Sequence, residues 1–541
     1  MRRMASAILA AGLAMAVPAS AAPVVEAPAG AVEGKAVGKL RVFKGIPYAE
    51  APVGPLRWKP PVALPAWQGV RKAQSFGAAC IQPRPTAIGI YTNPPAKMSE
   101  DCLTLNIWAP EAAKGAPVIV WIHGGALTSG YSHEGMYDGA KLAARGAIVV
   151  SINYRLGALG YLAHPELSKE SPDGVSGNYG LLDQIAALEW VKANIGAFGG
   201  DAGNVTIAGE SAGALSVLYL MTAPRARGLF HKAIAQSAYM ISTPSLREAR
   251  HGEIPAETMG AKVAAALGAP DLAALRAMDA GALNDGALKA GYFPWGTVDG
   301  KILPRQLVDS FDRGEQAPVP IIAGFNIGEI RSLRMLAPPP PASAAVYEEA
   351  IRARYGDLAD RWLKLYPGTN LGEAMLATAR DAMYGWTSER LAIKQGALGQ
   401  NAYLYLFDHG YPATSEAGLH GFHAAEIPFV FGTATDTPPY WPKIPDTVAE
   451  KRFAAAMGDY WVSFAKTGQP EAAGQAVWRP YDKDAAFLAF ADVPRPGVRL
   501  MTGMYALHEA AMCRRRAAGN LPWNWNSGIW SPVLAKGADC P

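Results

Sequence analysis

Charge is scarce in this chain. Only 18% of its 541 residues are Asp, Glu, Lys or Arg, and 50 basic side chains nearly cancel 46 acidic ones. A formal net charge of +4, spread without long runs of one sign, marks neither a nucleic-acid partner nor an anionic membrane surface. No stretch reaches the about 18 uninterrupted apolar residues that a spanning helix requires. No 20–50-residue repeat is visible, which sets solenoids and propellers aside. A complete dinucleotide or P-loop fingerprint is missing, as are HExxH and any CxxC spacing, so neither nucleotide chemistry nor a metal site has support and no cofactor is implied. What the chain has in quantity is hydrophobic residues, half of the total, enough for a large globular core.

The first 22 residues stand apart. "MRRMASAILAAGLAMAVPASAA" carries Arg2 and Arg3, a short apolar stretch and small residues at Ala19-Ser20-Ala21. This is the layout of a cleavable signal peptide, and it predicts a secreted or periplasmic protein formed by residues 23–541 as a single domain. An oxidising compartment gives meaning to the four cysteines, Cys80, Cys102, Cys513 and Cys540. Four allow three pairings. The expectation is nearest-neighbour pairing, Cys80 with Cys102 and Cys513 with Cys540, closing two local loops.

Along the chain, "FKGIPYAEAPVGPLRWKPP" reads as an irregular packed segment. Strand-like and helix-like runs then alternate: "LTLNIWAP", "PVIVWIHGG" and "AIVVSINYR" as strands, "GLLDQIAALEWVKANI" as a helix, "VTIAGE" as a strand and a helix from Ala212. "KAIAQSA", "VPIIAGFN" and "AYLYLFD" follow as strands, the last, at 402–407, being the final central one. The alternation predicts an α/β fold, a mostly parallel sheet with helices on both faces. Helical insertions at about 245–290 and 343–400 are expected to cap it, with "PPPPA" at 338–342 as a linker.

At the seam between "VTIA" and the helix from Ala212 stands Gly209-Glu210-Ser211-Ala212-Gly213. This matches G-x-S-x-G, in which glycines permit a sharp strand-to-helix turn that lifts a nucleophilic Ser clear of the sheet. A bare pentapeptide also fits a plain Gly-rich turn, so partners are needed, in the order Ser, acid, His. His423 and His420 both lie in the loop after strand 402–407. Glu329 and Asp408 both follow strand ends, whereas Asp299 in "TVDG" reads as a turn. His123-Gly124-Gly125-Ala126 ends another strand and fits an oxyanion loop whose backbone N–H groups act with that of the residue after the nucleophile. Glu210 is expected to pair with a base, Arg155 being the candidate. Phe293, Trp295, Trp386, Phe422 and Phe429 are candidates for an apolar pocket, and Trp523, Trp525 and Trp530 for packing the C-terminal tail.

Two longer blocks, "SEDCLTLNIWAP" (99–110) and "FGGDAGNVTIAGESAG" (198–213), resemble the diagnostic motifs of the type-B carboxylesterases, the family of cholinesterases and para-nitrobenzyl esterases. The resemblance spans roughly residues 30–510. It implies an α/β-hydrolase fold with Ser211 as nucleophile and a small ester as substrate. The family's acid motif falls on Gly324-Phe325-Asn326-Ile327-Gly328-Glu329 and its His motif on His423-Ala424-Ala425-Glu426. By that resemblance Glu329 and His423 complete a triad, Gly125, Ala126 and Ala212 supply the oxyanion donors, and the Cys80–Cys102 bridge gains support. Two family glycines are alanines here, Ala126 and Ala424. No Trp lies between Cys80 and Cys102, so the cation–π site of cholinesterases is unsupported. A non-catalytic relative, the binding-module alternative, would have lost the triad; here all three residues stand. A lipase or thioesterase acting on longer acyl chains would share the same machinery.

Overall fold

A computed structural model describes residues 22–523 and 525–537. The expected signal peptide, Ala22 apart, and Cys540 with its expected pairing to Cys513 lie outside the described residues. The Cys80–Cys102 disulfide is formed.

Eleven strands make the main sheet: β1 (Lys35–Val37), β2 (Leu40–Pro47), β3 (Thr104–Pro110), β4 (Ala116–Ile122), β5 (Ile148–Ile152), β6 (Gly200–Glu210), β7 (Lys232–Gln236), β8 (Ile321–Asn326), β9 (Ala402–Phe407), β10 (Ala486–Phe490) and β11 (Pro494–Val498). Their order across the sheet is β1-β2-β3-β5-β4-β6-β7-β8-β9-β10-β11. From β5 to β10 all neighbours are parallel. The pairs β1–β2, β2–β3, β3–β5 and β10–β11 are antiparallel. This is the α/β-hydrolase architecture.

β4, β5, β7, β8 and β9 are buried at every position, and mostly hydrophobic, because both faces are covered, as parallel sheets require. Within β4, Val118, Val120 and Ile122 enter one core while Ile119 and Trp121 enter the other. β9 repeats the division, with Leu404 and Leu406 on one face and Tyr403, Tyr405 and Phe407 on the opposite one. Helix α1 (Tyr179–Asn194) and helix α2 (Ala212–Thr222) fill the first core, and α3 (Val448–Thr467) fills the second through Phe453, Met457 and Phe464.

Three expectations need correction. The aromatic segment from Phe43 is not irregular at its start: Phe43–Pro47 ends β2, which pairs with β3 across a register shift. The sheet does not end at 402–407, since β10 and β11 extend it. β11 reads "PRPGV", and proline is tolerated there because the strand pairs only along one edge. The helical insertion expected at about 245–290 starts only at Ala256 and is not one continuous helix. It forms three, Ala256–Ala266, Leu272–Ala277 and Ala280–Lys289. The restarts come from side-chain caps: Asp271 accepts from the Ala274 N–H, and Asp279 from that of Ala282.

Among the described residues no helix is long and apolar enough to cross a membrane.

Candidate active site

Chain order reverses at β4, which leads first to β5 on one side and then to β6 on the other. Such a switch point opens a crevice at the carboxyl ends of the strands. His123–Ala126 follow β4 into it, Ser211 follows β6 and Glu329 follows β8.

Ser211 stands between β6 and α2 at φ 56°, ψ −122°, a conformation that L-residues hold only where the surroundings impose it. Steric limits explain the flanking glycines. A Cβ on Gly213 would lie 2.0 Å from the Ile122 carbonyl oxygen, and one on Gly209 would lie 2.5 Å from the Gly213 carbonyl carbon. β4, the turn and α2 approach each other too closely for any larger residue. The Ser211 N–H donates to the Gln236 carbonyl at 2.9 Å, tying the elbow to β7. Its Oγ makes no hydrogen bond within the described residues and faces a cavity of about 740 Å³.

Beside it the loop after β4 turns through positive φ at Gly125 (102°), Ala126 (56°) and Leu127 (56°). The N–H groups of Gly125 and Ala126 have no acceptor among the described residues. Ala212 opens α2, where the first N–H groups lack intrahelical partners. The loop is braced from below. His123 Nδ1–H donates to the Gly124 carbonyl at 2.9 Å, its ring stacks on Tyr154, and Tyr154 donates to the His123 carbonyl at 2.8 Å. Burial, only partly offset by the Gly124 carbonyl, lowers the His123 pKa to about 4 and keeps the ring neutral.

His423 lines the same cavity, and its Nδ1 meets Glu329 Oε2. The other Glu329 oxygen accepts from Ser237 Oγ at 2.6 Å and from the Asn326 N–H at 2.8 Å, so this fully buried carboxylate is locked in place. The rivals go elsewhere: His420 and Asp408 pair with each other at 2.8 Å, both substantially exposed. His409 pairs with Glu450.

Glu210 does not pair with Arg155. That arginine forms a bidentate pair with Asp183 of α1, at 2.8 and 2.7 Å. Glu210 Oε1 instead lies 3.1 Å from His423 Nε2. The imidazole therefore sits between two carboxylates. Burial would lower its pKa, but Glu210 and Glu329 outweigh that and raise it to about 9. Burial likewise raises Glu210, to about 8, against the opposing pull of His423.

Further residues extend the network, two of them, Asn326 and Glu426, within the acid and His motifs. Glu426 is buried and accepts from Gln236 at 2.8 Å and Asn326 at 2.6 Å, and Trp461 donates to Gln236. Tyr384, on a π-helical turn at Asp381–Gly385, places its ring 5.4 Å from that of His423; such turns recur at functional sites. Of the pocket candidates, Phe293 and Trp295 line the cavity. Trp386, Phe422 and Phe429 are buried in the cores instead. Trp525, expected only to pack the tail, forms part of the cavity wall and lies 5.6 Å from Trp295. Among the described residues no three His, Cys, Asp or Glu side chains are grouped as metal ligands.

Sheet order and elbow define an α/β-hydrolase. The model of the carboxylesterase family matches residues 21–505. Over 490 residues the chain is 36% identical to a fumonisin B1 esterase of Sphingopyxis macrogoltabida, covering 85% of each protein. It is 35% identical over 465 residues to a para-nitrobenzyl esterase of Bacillus subtilis, covering 84% of this chain and 92% of that one. A solved PNB esterase structure superposes with a TM-score of 0.77 at 31% identity, over 90% of this chain and 99% of the other. The chain belongs to the carboxylesterase family and is a carboxylic ester hydrolase.

Proposed function

We propose that the protein is a secreted or periplasmic serine carboxylesterase working through Ser211, His423 and Glu329. The observation that carries this reading is the strained Ser211 beside a His423 held by the buried Glu329, with the unpaired N–H groups of Gly125 and Ala126 on the same cavity. His423 Nε2 takes the Ser211 proton as Oγ attacks the ester carbonyl. Glu329 accepts the Nδ1–H, fixing the tautomer and stabilising the imidazolium. The N–H groups of Gly125, Ala126 and Ala212 bind the oxyanion; losing one such donor costs about 3–4 kcal/mol. His423 then returns the proton to the leaving alcohol, and water attacks the acyl-Ser211 by the same route.

The cavity also bears on the substrate. Its wall holds the carboxylates of Glu134, Glu210 and Glu253 among aromatic and proline side chains, with no Lys or Arg. Esters without negative charge suit it, since an anion would meet three acids and, of basic groups, only the imidazole of His423.

The test is hydrolysis of p-nitrophenyl acetate, butyrate and decanoate by the purified protein and Ser211→Ala. The expected loss in kcat is about 10⁴-fold or more. Equal rates for the two proteins would sink the assignment, and the chain-length profile separates an esterase from a lipase.

A further inference from the structure

The loop from 81 to 101, closed by Cys80–Cys102, touches three parts of the site at once. Gln82 pairs in both directions with the Gly130 backbone, accepting its N–H at 2.9 Å and donating to its carbonyl at 3.0 Å, at the far end of the oxyanion loop. Asn93 donates to Glu134 at 3.2 Å and accepts from the Tyr131 hydroxyl at 3.1 Å, on the segment that follows. Tyr91 reaches the histidine. Its hydroxyl lies 2.8 Å from the His423 carbonyl oxygen and 2.7 Å from Ser332 Oγ, three residues beyond Glu329. A carbonyl can only accept, so in the bond to His423 the tyrosine is the donor; Ser332 Oγ also lies 3.3 Å from the Glu329 carbonyl oxygen, to which it donates.

This contact has no substitute. Among the described residues the His423 N–H has no acceptor, and its carbonyl has no donor other than Tyr91. The next residue, Ala424, sits at φ 66°, where an L-residue resists staying. The neighbouring Phe422 carbonyl is held by Asn326 Nδ2 at 2.7 Å, but the peptide groups of His423 itself are held by one hydroxyl alone, borne on a loop whose ends are joined by a disulfide. The ring is seated by Trp441, edge-on at 5.9 Å, and is 38% exposed toward the cavity.

We infer that Tyr91 is the positioning residue for His423, and that the Cys80–Cys102 loop is a brace whose closure sets the catalytic rate. This rests on the Ser211–His423–Glu329 reading. Tyr91→Phe removes the hydroxyl and keeps the ring. Its kcat for p-nitrophenyl butyrate should fall about tenfold with KM within twofold, since misaiming a catalytic group acts on the transition state and not on substrate binding. Labelling of Ser211 by a fluorophosphonate should slow in parallel, while Tm stays within about 2 °C. Ser332→Ala, which leaves the bond to His423 in place, should lose less than threefold.

Reduction of the wild-type disulfide by dithiothreitol, followed by far-UV circular dichroism, is the measurement that remains if Tyr91→Phe does not fold. Activity should fall while the spectrum holds. An active wild type whose Tyr91→Phe variant keeps kcat within twofold, or whose reduced form is folded and fully active, overturns the inference alone. A wild type that neither turns over these esters nor takes the label overturns the catalytic reading and this inference with it.

Discussion

The floor of the cavity and its walls are built on different principles. The floor is backbone: the elbow at Ser211 and the loop at Gly124–Ala126 sit on the ends of β6 and β4, where approaches of 2–3 Å would reject a Cβ. The walls are side chains gathered from distant segments, Tyr91 from the disulfide loop, Phe293 and Trp295 from beyond the cap helices, Trp525 from the C-terminal region. On the Ser211–His423–Glu329 reading, the backbone floor fixes where the reaction occurs. The side-chain walls decide what may reach it. Fold and chemistry belong to the first, and substrate choice to the second.

The largest effect should come from breaking the floor. Gly213→Ala places a Cβ 2.0 Å from the Ile122 oxygen and 2.9 Å from that of His123. Both contacts are strand and loop backbone, which cannot turn aside as a side chain could. We expect a loss of about 3 kcal/mol or more in stability and no fluorophosphonate labelling of Ser211. Thermal unfolding with labelling checks this. A stable, labelled variant would show the elbow to be looser than described.

The same division explains what could be read in advance. Glycines at Gly209, Gly213, Gly124 and Gly125 answer local steric demands, so their spacing in the chain already points to the turn they make. Glu329 and His423 follow strand ends, but only a family pattern separates them from Asp408 and His420, because two His–acid pairs form and their neighbours in space differ, not their neighbours in sequence. Glu210 was harder. A buried glutamate needs a partner, and Arg155 was a reasonable one until α1 brought Asp183 to it. The clue was Asp183 inside "GLLDQIAALEWV", a second acid available to Arg155 and fully buried. Tyr91 stood out only as the aromatic between Cys80 and Cys102 in place of a Trp; a tyrosine in a proline-rich loop has no period or motif to mark a contact with His423.

Next in size is the pH dependence set by Glu210, which joins floor to histidine. The histidine must be neutral at Nε2 to act as base. A pKa raised toward about 9 means that kcat/KM climbs with pH beyond the usual histidine range of about 6.5 and is lost as pH falls through it. Glu210→Gln removes one of the two carboxylates that stabilise the imidazolium. The acid limb of the kcat/KM profile should then move down by about one pH unit. An unmoved limb would mean that Glu210 carries no charge near His423.

A wall residue should behave differently. Trp525 sits between Trp295, at 5.6 Å, and Tyr239, at 6.3 Å. Trp525→Ala should raise KM for p-nitrophenyl butyrate about fivefold while changing kcat less than twofold, the mark of binding shared by ground and transition states. A matching fall in kcat would place this ring among the groups that align the reaction and would blur the distinction between floor and wall.

The smallest effect tests whether the floor is as strained as its dihedral angles imply. Ala126 and Ala424, which stand where the family resemblance implies glycine, both hold positive φ, 56° and 66°. An L-residue in that region costs about 1–2 kcal/mol, whereas glycine enters it freely. Ala424→Gly removes this cost but also loosens the unfolded chain, which offsets part of the gain. A net stabilisation of about 0.5–1 kcal/mol is expected from denaturant unfolding, with kcat unchanged or slightly lower as the histidine loop gains freedom. Destabilisation would show that the Ala424 methyl contributes packing beside His423.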